Sequence, residues 1–130
     1  VSDVLVDTSV WIDFFRGDAR VLARLDPLLE DDRAAVAGPI VAEVTSGART
    51  SAVFRQLRAR LAALTMLEAP ADVWDRVAAA RFSLARSGTQ AHLVDLLIAL
   101  TASHAGHALL TRDRDFTAIA RAVPLDVELF

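Results

Sequence analysis

The sequence predicts an α/β fold, a three-layer α/β/α sandwich with a short, mostly parallel central sheet. Three observations carry this expectation. Short apolar runs alternate along the chain with longer segments whose apolar residues recur at helical spacing, the pattern of strands joined by helical crossovers. Glycine and proline punctuate the junctions, at Gly17, Gly38-Pro39, Gly47, Gly88 and Gly106. Hydrophobic residues make up 54% of 130 residues, too many for a disordered chain and enough for one core, so a single domain over 1–130 is expected.

Taken in order, Asp3-Val4-Leu5-Val6 reads as a short buried strand ending at Asp7. Thr8 or Ser9 can cap the helix that follows, because a hydroxyl satisfies its first free amides. That helix runs to about Arg16, carries Val10, Trp11, Phe14 and Phe15, and stops at Gly17. Asp18 opens a second helix with Val21, Leu22, Leu25, Leu28 and Leu29 inward, kinked or broken at Pro27. The acidic run Glu30-Asp31-Asp32 ends it in a solvated turn.

Ala34 to Ala37 is the second strand. Gly38-Pro39 forms a turn whose proline starts a helix, with Ile40, Val41 and Val44 around Glu43 and Gly47 at its end. Residues 50 to 63 form an amphipathic helix with Val53, Leu57 and Leu61 on one side, and Thr65-Met66-Leu67 is a third strand. Pro70 opens a helix with Val73, Trp74, Val77 and Ala80 that runs to about Arg86, followed by a loop at Ser87-Gly88-Thr89. A strongly apolar helix around Leu93-Val94-Asp95-Leu96-Leu97-Ile98-Ala99-Leu100 ends at Gly106. Ala108 to Thr111 is the fourth strand, Asp113 to Ala122 a short helix, and Leu125 to Leu129 the last strand.

Composition removes several chemistries. There is no cysteine, hence no disulfide framework, zinc-thiolate site or cysteine nucleophile. All fourteen basic residues are arginine and none is lysine. No apolar run reaches the roughly 18 residues of a membrane span, and Asp3 and Asp7 interrupt the first apolar segment where a secretory signal would need it unbroken. A soluble cytoplasmic protein is the expectation. The net charge of −3 gives no general affinity for nucleic acid. Arginines at 49, 55, 58 and 60 either line a nucleic-acid path or form a solvated helix face.

The apolar helix around Asp95 poses the sharpest question. A helix hydrophobic all round is buried, and Asp95 shares its face with Ala91, Ile98, Ala99 and Ala102. An ionised carboxylate there must be paired, protonated or bound to a cation. Asp7 and Asp113 each stand just past the end of an apolar strand, and in an open parallel sheet the carboxyl ends of the strands face the ligand crevice. Glu43, on the helix leaving the second strand, and Asp95, in the first turn of its helix, belong near the same edge. Each acid has an ordinary alternative: Asp7 as a helix cap, Glu43 as an exposed helix residue, Asp113 and Asp115 as a surface charge cluster with Arg112 and Arg114. Four convergent carboxylates would repel and raise one another's pKa values. With no lysine to neutralise them, a hard divalent cation on oxygen ligands, Mg²⁺ or Mn²⁺, is the economical solution. His92, His104 and His107 show no metal-ligand spacing.

The pieces Val4-Leu5-Val6-Asp7-Thr8-Ser9-Val10-Trp11-Ile12, Ile40-Val41-Ala42-Glu43-Val44, Asp95-Leu96-Leu97-Ile98-Ala99 and Leu110-Thr111-Arg112-Asp113-Arg114-Asp115-Phe116 occur in this order over almost the whole chain. In this the sequence resembles the PIN-domain ribonucleases, and within them the VapC-like toxins of toxin–antitoxin pairs. The resemblance implies a PIN-like sandwich and a Mg²⁺-dependent endoribonuclease, with Mn²⁺ as a substitute. It implies Asp7, Glu43, Asp95 and Asp113 as catalytic acids, Asp7, Asp95 and Asp113 as metal ligands, and Ser9, Thr111 and Asp115 as supporting members. Arg112 and Arg114, beside the site, are candidates to hold RNA phosphates or else pair with the neighbouring acids. The resemblance also implies an RNA substrate, a cognate antitoxin and a homodimer, with the helices of residues 50 to 86 as its surface. Residues 48 to 90 match no motif.

Two rival readings use the same acids. A receiver or haloacid-dehalogenase-like phosphatase also places a Mg²⁺-binding Asp at a strand end, but such proteins carry a lysine near the phosphate, and the phosphatase pattern wants an Asp where Ser9 stands. A non-catalytic partner-binding module of the same fold has no reason to keep four acids.

Overall fold

The structure is a computed structural model, and it describes residues 3–130. The chain runs β1 (Val4–Val6), α1 (Thr8–Phe15), α2 (Ala19–Glu30), β2 (Ala34–Ala37), α3 (Gly38–Ser46), α4 (Ser51–Ala62) and β3 (Thr65–Leu67). It continues through α5 (Val73–Arg86), α6 (Leu93–Ala105), β4 (Ala108–Thr111), α7 (Asp115–Ile119) and β5 (Val127–Leu129). The five strands form one sheet in the order β3-β2-β1-β4-β5, every pairing parallel. The α/β sandwich read from the sequence is the fold observed.

The strand order contains a reversal. From β1 the chain moves outward to β2 and β3, then crosses back to place β4 on the other side of β1. Right-handed crossovers therefore put α1 to α4 on one face and α5 to α7 on the other. The packing agrees: α1 contacts α2 and α3, and α3 contacts α4, while α6 contacts α5 and α7. The reversal falls between β1 and β4, where an open parallel sheet leaves a crevice at its carboxyl ends. Val6 stands opposite Leu110 there, and the Asp7 amide continues the ladder with a 2.9 Å bond to the Leu110 carbonyl. Leu5, Val6, Leu109 and Leu110 are fully buried, with Trp11, Leu25, Ile40, Leu96, Ile98 and Phe116 packed around them.

Several local expectations are corrected. Asp3 lies outside β1, and Thr8 and Ser9 do not cap α1, because the N-cap position belongs to Asp7. Pro27 neither breaks nor ends α2; the carbonyl it leaves unbonded, that of Ala23, lies on the exposed face, where water replaces the lost amide. No turn separates β2 from α3, since Gly38 and Pro39 already belong to the helix. Pro70 is buried three residues before α5 starts. Helix α7 and strand β5 are each shorter than the sequence pattern indicated.

The apolar faces are corrected too. Trp74 is 62% exposed, Val53 is exposed, and Leu93 and Val94 in the first turn of α6 are exposed as well. Helix α6 is therefore embedded only from Leu96 to Ala102, and Asp95 stands at the edge of the buried zone. Among the described residues no helix is long and apolar enough to cross a membrane.

Helix α6 ends at Gly106, whose φ of +71° is the left-handed conformation. The His107 amide reaches back to the Ala102 carbonyl at 2.9 Å and the Gly106 amide to Ser103 at 3.1 Å, closing a Schellman cap. A Cβ at position 106 would meet nothing within 4 Å, so the cost of adding one is conformational alone. Gly106→Ala is expected to destabilise the fold by about 1 kcal/mol, lowering the melting temperature by about 3 °C in a thermal scan.

Candidate metal centre

The switch point places Asp7 at the end of β1 beside Thr111 at the end of β4. Asp7 is 5% exposed, and its side chain does not cap α1 despite its N-cap position. Its Oδ2 instead accepts the Thr111 hydroxyl at 2.8 Å and the Ser9 hydroxyl at 2.9 Å. Both hydroxyls serve a second purpose. Ser9 Oγ accepts the Arg112 amide at 3.1 Å, and Thr111 Oγ1 accepts the Asp113 amide at 3.0 Å. Asp113 Oδ1 in turn accepts the Asp115 amide at 2.9 Å. The turn from β4 into α7 is thus stitched to Asp7 by neutral groups, which hold a buried carboxylate without adding charge.

Asp95 faces this turn from the first turn of α6. One carboxylate oxygen from each of Asp95, Asp113 and Asp115 lies within 4.8 Å of the others. No hydrogen bond or ion pair to the Asp95 side chain is seen among the described residues, and its pKa is pushed up to about 6. Partial burial is the largest cause, followed by the charges of Asp113 and Asp7; His92 pulls the other way and Asp115 adds a smaller upward push. The expectation that Asp95 needs a compensating partner is thus sharpened: the protein supplies three more acids and no arginine.

Glu43 is exposed on α3 and outside this tight cluster. Its Oε1 accepts the Thr8 hydroxyl at 2.9 Å, and it borders an apolar groove of about 380 Å³ between α1, α3 and α4, lined by Ile12, Phe15, Val44, Val53 and Leu57. Asp115, read as a supporting residue, lies in the same cluster as Asp95 and Asp113, within 4.8 Å of each. Arg114 is exposed, whereas the Arg112 guanidinium lies 2.8 Å from Asp13 and 3.5 Å from Asp18. Asp13 escaped the sequence reading, its one signal a charge among the apolar residues of α1, and Thr8, expected as a helix cap, bonds Glu43 instead. The arginine stripe divides: Arg60 stacks on Phe15 with its guanidinium 4.8 Å from the ring centroid, and Arg49 borders the groove.

The cluster offers hard carboxylate oxygens and neither imidazole nor thiolate. That donor set suits Mg²⁺ or Mn²⁺ and is unsuited to zinc or copper.

Residues 4–122 match the family model described as PIN domain. The chain belongs to the PIN-domain family. Within that family it is VapC-like. It is 32% identical to ribonuclease VapC11 of Mycobacterium tuberculosis, with 98% of each chain covered. Among solved structures it is similar to VapBC-5 of the same organism, at 27% identity and a TM-score of 0.68, with all of both chains covered. It also shares its fold with VapBC2 of Rickettsia felis, at 19% identity and a TM-score of 0.78, with 97% of each chain covered. This PIN domain thus carries Asp95, Asp113 and Asp115 in one cluster beside Asp7 at the switch point of the sheet, with Glu43 outside it.

Linkage gives the repulsion a measurable sign. Asp95 has a folded pKa raised above its unfolded value of 3.8, so the folded state holds the extra proton between about pH 4 and pH 6. Stability falls as pH rises through that window, and the full penalty is present above it. Asp95→Asn removes the penalty. In metal-free buffer at pH 7 the variant is expected to melt about 3 °C above the wild type, a gain of about 1 kcal/mol after allowance for solvent screening. The difference should vanish near pH 4; an Asn variant equal to or less stable than wild type at pH 7 would show that the repulsion is compensated.

Proposed function

We propose that this PIN domain is a Mg²⁺-dependent endoribonuclease and the toxin of a toxin–antitoxin pair. The observation that carries the reading is the half-buried Asp95 carboxylate, unneutralised and within 4.8 Å of Asp113 and Asp115. The names of similar proteins support it: relatives at 32% identity are ribonucleases, and one fold neighbour is described as a toxin–antitoxin complex from Klebsiella pneumoniae.

In this reading Asp7, Asp95 and Asp113 hold the ion, with Asp115 beside them. A divalent cation in such a site supplies Lewis-acid stabilisation of phosphate charge and lowers the pKa of a bound water. The chain's own residues do the positioning. Ser9 and Thr111 fix the Asp7 carboxylate by its Oδ2, which leaves Oδ1 free of those two bonds. The amides of Asp113 and Asp115 are anchored in sequence to Thr111 and Asp113, so the second and third acids are presented on a fixed turn. Glu43, held by Thr8 at the groove side, keeps a solvated carboxylate at the edge of the site. Exposed Arg114 offers a charge for a flanking phosphate.

The partners follow from the same reading. A cognate antitoxin covers the acidic cleft. A second copy of the chain packs on the helices of residues 50 to 86, which offer two separate apolar surfaces, Val53 and Phe54 on α4 and Trp74 and Phe82 on α5. RNA and antitoxin are both met in the cytoplasm.

Millimolar Mg²⁺ or Mn²⁺ is expected to raise the melting temperature of the wild type and to be required for cleavage of cellular RNA. Asp113→Asn should lose both effects. Thr111→Val keeps the shape and removes only the hydroxyl that orients Asp7, so it should cost about 10- to 100-fold in cleavage rate or metal affinity. Mapping 5′ ends of cellular RNA after brief induction, with Asp95→Asn as the control, reads the activity directly. No metal-dependent thermal shift and the same 5′ ends from both proteins would dismiss the reading.

A further inference from the structure

Arg112 sits inside the motif that carries Asp113 and Asp115, yet its side chain leaves the cluster. The guanidinium Nη1 lies 2.8 Å from Asp13 Oδ2 on α1 and 3.5 Å from Asp18 Oδ2 at the N-cap of α2. Its carbon lies 5.3 Å from the centroid of the Phe130 ring, which Arg20 also approaches at 5.3 Å. The Phe130 amide donates to the Thr111 carbonyl at 2.8 Å, and the Arg112 amide donates to Ser9 Oγ at 3.1 Å. Just before Phe130, Glu128 on β5 takes a two-bond fork from Arg24 on α2, at 2.5 and 2.6 Å. Helices α1 and α2 and the end of β5 therefore grip the two residues that precede Asp113 from separate directions.

We propose that Arg112 is a positioning residue that sets the metal affinity of the site without touching substrate: its pairing with Asp13, Asp18 and Phe130 holds the β4–α7 turn so that Asp113 and Asp115 stand against Asp95. This rests on the metal-dependent reading above. The geometry favours it over a phosphate contact. A phosphate-binding arginine presents its fork to the crevice, whereas the Nη1 of this one is held by two carboxylates on elements that do not carry the cluster. The turn also has a reason to need holding. Asp113 and Asp115 repel Asp95, so without the ion they are pushed outward, and the Arg112 clamp resists that displacement. Lysine would replace it only in part, because an ammonium can reach both carboxylates but lacks the planar guanidinium that lies against the Phe130 ring.

The test is Mn²⁺ binding by calorimetry and by the loss of free-ion paramagnetic resonance, on wild type, Arg112→Ala, Arg112→Lys, Asp13→Asn and Phe130→Ala. Circular dichroism establishes that each is folded. Arg112→Ala should weaken Mn²⁺ binding by about 10-fold, as loss of an outer-shell support does, with Arg112→Lys restoring only part of it. At saturating metal the KM for RNA should be unchanged. Asp13→Asn is decisive even if Arg112→Ala fails to fold, because it frees the guanidinium. Positioning requires weaker Mn²⁺ binding in Asp13→Asn, and Phe130→Ala should follow in the same direction. Phosphate binding instead gives unchanged Mn²⁺ affinity, a lower KM for Asp13→Asn, and a higher KM with a shallower salt dependence for Arg112→Ala. That second pattern overturns the proposal. A wild type that takes up no Mn²⁺ overturns the metal reading itself, and a wild type that binds while every folded variant binds equally well overturns only the role of Arg112.

Discussion

The hydrogen bond from the Thr111 hydroxyl to Asp7, 2.8 Å across the seam between β1 and β4, is the contact on which the site depends. It exists because the strand order reverses at that seam. Two strands separated by more than a hundred residues end side by side, and the polar residue after each run is delivered to the same crevice. Either strand alone would present its acid to solvent. Paired in parallel and buried, they fix Asp7 and the turn carrying Asp113 and Asp115 relative to one another. The registers of β1 and β4 matter to the site, since a one-residue slip would carry Thr111 off Asp7 and send Val6 and Leu110 into the opposite helical layer.

That rigidity runs against electrostatics. Carboxylates that repel would separate if their backbones allowed it. Here the sheet holds Asp7, the embedded part of α6 holds Asp95, and a chain of amide and hydroxyl bonds holds Asp113 and Asp115. The strain therefore appears as a raised pKa at Asp95, caused first by its partial burial and then by the charges of Asp113 and Asp7, and not as a displaced turn. The fold stabilises an arrangement that its charges disfavour, which is the mark of a site prepared for a ligand of opposite sign.

Much of this was legible in the residues. The alternation of strands and helices gave the layers, and the position of an acid just past an apolar run marked Asp7 and Asp113 before any geometry was known. Asp95 stood out because it interrupts an apolar helix. What failed to show in the sequence depends on which side of an element faces outward. Apolar periodicity assigned Trp74 and Val53 inward, yet both are exposed, because hydropathy does not say whether a helix has a second neighbour. Thr8 and Ser9 looked like helix caps, since a hydroxyl after a strand has the same sequence signature whether it bonds an amide or a carboxylate. Arg112 read either as a phosphate contact or as a partner of the neighbouring acids, while the groups it meets, Asp13, Asp18 and Phe130, come from other elements. Pro27 and Pro70 show the limit of punctuation: each acts through the exposure of one carbonyl or one ring, which only the packing fixes.

The placement of positive charge completes the account. Of the strongest influences on Asp95, only that of His92 favours ionisation. Arg112, adjacent to Asp113, is directed away from the cluster, bonded to Asp13 on α1 and Asp18 at the N-cap of α2. Had its guanidinium entered the crevice, it would have neutralised part of the cluster and blocked the space between Asp95 and Asp113. Directed away, the same charge strengthens the scaffold and leaves the acids uncompensated. A chain with no lysine and with that arginine committed elsewhere has no side chain left in the turn, other than exposed Arg114, to balance them. Beyond Arg114 the turn supplies no balancing charge, and Asp95, Asp113 and Asp115 offer a divalent cation hard oxygen ligands.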